Sequence, residues 1–177
     1  VYLMGTPELE ATFRKAGITL TDQNPDFVVL GFDMTLTYEK LRKGCDFVRD
    51  GVTYIATHPD FNCPVENGFI PDTGSMIELI KASTGKVPKV IGKPNAEIIA
   101  CAFKRREKFK QKDFAMVGDR VYTDIRTGVN AGITSILVLS GESTVDDLKS
   151  NGIEATFVVD GVGDIYKALV EYDKTYV

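Results

Sequence analysis

The sequence has a single histidine, His58, in 177 residues. That excludes a zinc site built on two histidines, the HExxH type among them. Its three cysteines, Cys45, Cys63 and Cys101, are odd in number and too widely spaced for a CxxC pair. They argue against a disulfide framework and for a reducing, cytoplasmic compartment. No apolar run approaches the ~20 residues of a membrane span, and no charged-then-apolar leader opens the chain. Neither sign of charge dominates: 21 basic and 25 acidic side chains leave a net −4. A nucleic acid or an anionic membrane is therefore not expected as the main partner. The densest basic run, Lys104 to Lys110, carries Glu107 in its middle and reads as a solvated helix face.

What is present is ordinary for a globular protein of one domain or two small ones, with 44% hydrophobic and 26% charged residues. The pattern alternates strand and helix. Val1–Met4 reads as a buried strand, which leads us to expect residues upstream of it. Thr6-Pro7-Glu8 opens a helix, with threonine as cap and proline in the first turn, and Gly17 closes it. Phe27–Leu30 and Thr53–Ala56 are strands, separated by a helix from Tyr38 to about Asp50. A long segment, Thr57 to Thr73, holds three prolines and no clear period, as lids and binding loops do. Ser75 to Glu78 matches a capping box for the next helix. Strands are then expected at Lys89–Ile91, Phe114–Val117, Ser135–Leu139 and Phe157–Val159. Helices are expected at about Ala96–Phe109, at Thr123–Ala131, from Thr144 and at Val162–Tyr172. Repeating β-α units mean a parallel sheet covered by helices, an α/β fold. A boundary is placed near Gly85–Pro88, giving units 1–85 and 86–177.

Ligands of open parallel sheets bind beyond the carboxyl ends of the strands. Lys93 and Asp119 stand there, after Lys89–Ile91 and Phe114–Val117. A carboxylate in that place can hold a hard, oxygen-preferring cation such as Mg²⁺. A lysine can neutralise a phosphoryl group. Asp124, five residues after Asp119, is either a helix N-terminal acid or a group that orients the metal or its water. Taken singly, Asp119 is equally readable as a turn residue and Lys93 as a solvated loop residue. Thr57, His58 and Asp60 begin the long loop directly after a strand, where a specificity element would sit. There His58 is read equally as a leaving-group contact and as a plain loop residue, and Asp60 as a turn former. A Cys63–His58 pair is a weak alternative lacking a third partner. Cys45 and Cys101 fall on apolar helix faces and are expected in the core.

The runs "GKPNAEI", "AMVGDRVYTDIRTGVNAGITSILVLSGE" and "YIATHPDFNCP…GFIPDTGS" together resemble the NagD-like, C2-capped branch of the haloacid dehalogenase (HAD) superfamily of phosphatases. The resemblance covers nearly the whole chain. It implies a partial Rossmann-like core with an α/β cap that selects the substrate. It also implies Mg²⁺-dependent hydrolysis of a small phosphorylated metabolite through an aspartyl-phosphate, with a homodimer possible. Lys93 would be the third-motif lysine, Asp119 the metal-ligating acid of the fourth motif, and Asp124 its second acid and metal ligand. Thr57, His58 and Asp60 would face substrate.

The family's first motif, DxDGT, supplies the attacking aspartate and the acid/base, and it does not occur in these 177 residues. The nearest approach, Phe32 to Thr37 (FDMTLT), has Thr35 where the second aspartate belongs and lacks the glycine. Asp33 is therefore expected to be a turn or capping residue after a cap strand. The chain is expected to be inactive alone, and a half-core without its central strands to expose sheet edges. Two other classes stay open: a non-catalytic fragment or pseudoenzyme that keeps Mg²⁺ and phosphate binding, and a small-molecule binding module built on the cap.

Overall fold

The computed structural model describes residues 1–106 and 108–176, so Glu107 of the basic run lies outside the described residues. The chain forms two compact units, residues 1–92 and 93–177.

The first unit is built on four parallel strands in the order β1 (Tyr2–Met4), β2 (Phe27–Leu30), β3 (Thr53–Ala56), β6 (Lys89–Val90). Side chains alternate across a strand. Tyr2, Met4, Val28, Leu30, Tyr54 and Ala56 accordingly share one buried cluster. It is closed by Cys45 and Val48 of α2 (Tyr38–Arg49) and by Ile77 and Ile80 of α3 (Thr73–Thr84). Each large side chain wholly removed from water there, such as Met4, Leu30 or Ile80, contributes about 1.5–3 kcal/mol. Leu9 of α1 (Pro7–Lys15) fits against Gly5 and Gly31, where a side chain would collide with it. Lys89 and Val90 pair with Ile55 and Ala56. The strand after Gly85–Pro88 thus completes the first sheet, and the compact division falls after Gly92 rather than at residue 85.

The long segment after β3 is not irregular throughout. It contains an antiparallel hairpin, β4 (Asn62–Val65) and β5 (Gly68–Pro71). Prolines at two of its positions and the absence of alternation hide it from a periodicity reading. Phe61 and Phe69 do not order it by burial, since they are 58% and 74% exposed. The ladder does.

The second unit has three parallel strands, β7 (Ala115–Gly118), β8 (Thr134–Val138) and β9 (Phe157–Val159), in that order. Val121, Ile125, Leu137 and Ile153 form its core, with Leu148 of α6 (Val145–Asn151) packed against them. α4 (Glu97–Arg105) is shorter than expected, followed by a 3₁₀ turn at Gln111–Asp113. α5 (Arg126–Asn130) is preceded by a π-helical turn at Val121–Ile125. α7 (Val162–Tyr176) closes the unit. Among the described residues β7 is an edge strand, and its Val117 is 39% exposed. Cys45 is buried as expected; Cys101 is exposed, because α4 turns that residue outward rather than into the core.

Candidate active-site residues

At the end of β7 the chain must place two carboxylates close to backbone, and two glycines make this possible. A Cβ on Gly118 would overlap the Asp124 carboxyl, and a Cβ on Gly141 would overlap that of Asp119. The π-helical turn supplies the rest. Ile125 N and Asp124 N both donate to Arg120 O, at 3.2 and 2.9 Å, which widens the turn and folds Asp124 back over Gly118. Sequence spacing alone reads this stretch as plain helix.

Asp124 is 4% exposed. Its Oδ1 pairs with Lys93 Nζ at 2.7 Å, and Oδ2 accepts from Arg120 N at 3.3 Å. Lys93 and Asp124, expected from their motifs, are therefore directly joined. Asp119 is half-buried beside them. Its Oδ2 accepts from Glu142 N at 3.0 Å, and its carbonyl accepts from Ser143 N at 3.0 Å. Among the described residues no donor reaches Asp119 Oδ1, so one carboxylate oxygen is left for a cation. The loop after β8 is itself fixed: Ser143 Oγ accepts from Val121 N at 3.1 Å, and Glu142 pairs with Arg120 at 2.7 Å and accepts from Tyr122 OH at 3.0 Å. The hold of Glu142 N and Ser143 N on Asp119 has no local signal in the sequence.

In the first unit the 57–61 segment is held on the N-terminus of α3. Phe61 O accepts from Asp72 N and Ser75 Oγ, and Asp60 O from Gly74 N at 2.7 Å. A Cβ on Gly74 would strike Pro59 O and Asp60 O. The helix cap is Asp72, not Ser75: its side chain accepts from Thr73 N at 2.5 Å. Ser75 is instead taken up by Phe61. His58 has both ring nitrogens engaged, Nδ1 with Thr57 Oγ1 at 2.9 Å and Nε2 with Asp72 Oδ1 at 2.8 Å. Among the described residues, His58, Asp60 and Asp72 are the group able to bring three donor atoms within 4.8 Å of one another. Asp72 was not singled out from sequence, although an aspartate before Thr-Gly-Ser is a recognisable cap. Cys63 hydrogen bonds to Pro64 O rather than to His58.

Asp33, which follows β2, is buried with no exposed side-chain surface. It accepts from Thr35 N at 2.9 Å and Thr35 Oγ1 at 2.7 Å and pairs with Lys40 Nζ at 2.8 Å. These bonds make it a turn-forming structural anion within the first unit, as the FDMTLT spacing predicted.

A HAD-hydrolase-like family model matches residues 90–165, the span that holds Lys93, Asp119 and Asp124. Over 175 residues the chain is 37% identical to an acid sugar phosphatase of Staphylococcus haemolyticus, covering 98% of this chain and 65% of that protein. Among solved structures, a 4-nitrophenylphosphatase from Thermotoga maritima superimposes with a TM-score of 0.87 at 48% identity, over 94% of this chain and 64% of that one. The chain has the α/β fold of the HAD-like hydrolases, and its residues 90–165 match their family model. NagD from Escherichia coli K-12 is a further HAD-like neighbour, with a TM-score of 0.82, 35% identity and coverage of 91% of this chain and 63% of that one. The chain thus spans just under two thirds of the length of these HAD-like relatives.

Proposed function

We propose that this protein is a Mg²⁺-dependent phosphomonoesterase acting on a small phosphorylated metabolite, a sugar phosphate foremost. The observation that carries the reading is the Lys93–Asp124 pair and a neighbouring carboxylate, Asp119, whose Oδ1 meets no donor among the described residues, at the carboxyl end of a parallel strand. The relatives' names, acid sugar phosphatase and 4-nitrophenylphosphatase, agree with it.

The donor set fits a hard cation. Asp119 offers an oxygen that no donor reaches among the described residues, and Asp124 offers a second carboxylate whose charge is shared with Lys93. Bound there, Mg²⁺ would supply neutralisation of the phosphoryl charge. Lys93 adds a cation that Asp124 holds in place, and its partly exposed ammonium can hydrogen bond to phosphoryl oxygens. Asp33 is not the attacking carboxylate, because Thr35 and Lys40 occupy its oxygens. The nucleophile is assigned to a DxDGT segment outside these 177 residues. Thr57, His58 and Asp60 are assigned to substrate selection, and the protein to the cytoplasm; none of the described helices is long and apolar enough to cross a membrane.

The alternative reading is Mg²⁺ and phosphate binding without turnover. Release of p-nitrophenol from p-nitrophenyl phosphate separates the two. The 177 residues joined to a DxDGT-bearing segment of a HAD-like relative should hydrolyse it with Mg²⁺ and stop with EDTA. Lys93→Met and Asp119→Asn should each lower kcat/KM by about 10²–10³-fold. Silence of the joined protein, with Mg²⁺ binding intact, selects the binding reading.

A further inference from the structure

Asp72 stands at a junction. One carboxylate oxygen accepts from Thr73 N, which caps α3, and from His58 Nε2. Its backbone N–H bonds Phe61 O at 2.9 Å. The residue is 6% exposed, while the His58 side chain keeps 29% of its surface in contact with solvent. A buried carboxylate on Nε2 fixes a proton on that nitrogen. In the neutral ring Nδ1 is then the acceptor for the Thr57 hydroxyl, which sets both the tautomer and the plane of the ring. A partner that orients an imidazole through its far nitrogen is the arrangement by which proteins hold working histidines.

We infer that Asp72 is a positioning residue: it locks the His58 ring in one tautomer and orientation and so presents the 57–60 loop in one shape for substrate selection. The ring edge left exposed, rather than a ring nitrogen, is then the surface that meets substrate. Selection by shape and apolar contact follows, instead of selection by an imidazole hydrogen bond. The effect on substrate rests on the phosphatase reading; the effect on His58 does not.

His58 is the sole histidine, so its ring signals are unambiguous in an NMR spectrum of the chain. Two substitutions separate capping from positioning. Serine and asparagine both cap helices well, but serine is too short to reach His58 Nε2. Wild type should show one solvent-protected Nε2–H resonance. Asp72→Ser should lose it while α3 stays folded, and Asp72→Asn should restore it in part through its side-chain oxygen. In the joined protein used above, Asp72→Ser should raise KM for a sugar phosphate about tenfold with kcat within about twofold, and Asp72→Asn should recover most of the loss. A protected Nε2–H that survives in Asp72→Ser would overturn the positioning role. Unchanged KM despite loss of that proton would overturn its consequence for the substrate. Failure of the wild-type joined protein to hydrolyse anything would sink the phosphatase reading and leave the NMR result standing.

Discussion

Replacing Asp33 by asparagine separates a structural anion from a nucleophile. The substitution keeps the size of the group and an oxygen that can still accept from Thr35 N and Oγ1. What disappears is the charge facing Lys40 Nζ at 2.8 Å. Removing one member of a fully buried pair costs about 3–5 kcal/mol. Lys40 is 21% exposed and retains Gly5 O at 2.9 Å, so its ammonium is only partly stranded. The expected loss is about 2–3 kcal/mol, between the buried and the exposed limits. With a urea slope of about 1–2 kcal/mol per molar, the unfolding midpoint of the first unit should drop by roughly 1–3 M. Lys40→Met should cost more, since it strands a carboxylate with no solvent access, and the double variant should cost less than the two single losses added together. Urea titration followed by circular dichroism reads the stability, and p-nitrophenol release from the joined protein reads the activity. Under the structural reading kcat stays within a few fold. A stability change below about 0.5 kcal/mol, together with loss of hydrolysis, would refute the reasoning and make Asp33 the nucleophile.

Two shorter predictions concern single groups. Gly141→Ala places a methyl where the Asp119 carboxyl lies; a displacement near 1 Å should lower kcat/KM by about 10²-fold with little change in thermal midpoint, and wild-type kinetics in this variant would show that the carboxyl has room to move. Burial first, and then the negative charge of Glu39 and Asp22, pushes the Tyr2 phenol up to about 12. Because folding raises this value above the ordinary 10, its contribution to stability is complete below about pH 10 and is lost as pH rises through 12. Difference absorbance of phenolate should show Tyr2 titrating late, and Tyr2→Phe should remove that part of the alkaline limb.

The sequence determined the alternation of strands and helices, because apolar runs bounded by glycine, proline and capping residues are local signals. It also placed Lys93 and Asp119 after strands, and in a parallel sheet strand ends are where ligands bind. It showed too that FDMTLT cannot serve as DxDGT, since one missing aspartate is visible without coordinates. It did not show the hairpin at Asn62–Pro71, whose prolines and exposed phenylalanines carry no period. Nor did it show that Lys89–Val90 completes the first sheet, because strand pairing is non-local. The bond from Lys93 to Asp124 spans 31 positions, that from Glu142 N to Asp119 spans 23, and that from His58 to Asp72 spans 14. Such contacts depend on where the backbone returns in space. The π-helical turn and the bare faces of Gly118 and Gly141 depend on what lies across from them. Residue types and local order were written in the chain; which oxygen meets which nitrogen was decided only when the strands and loops packed.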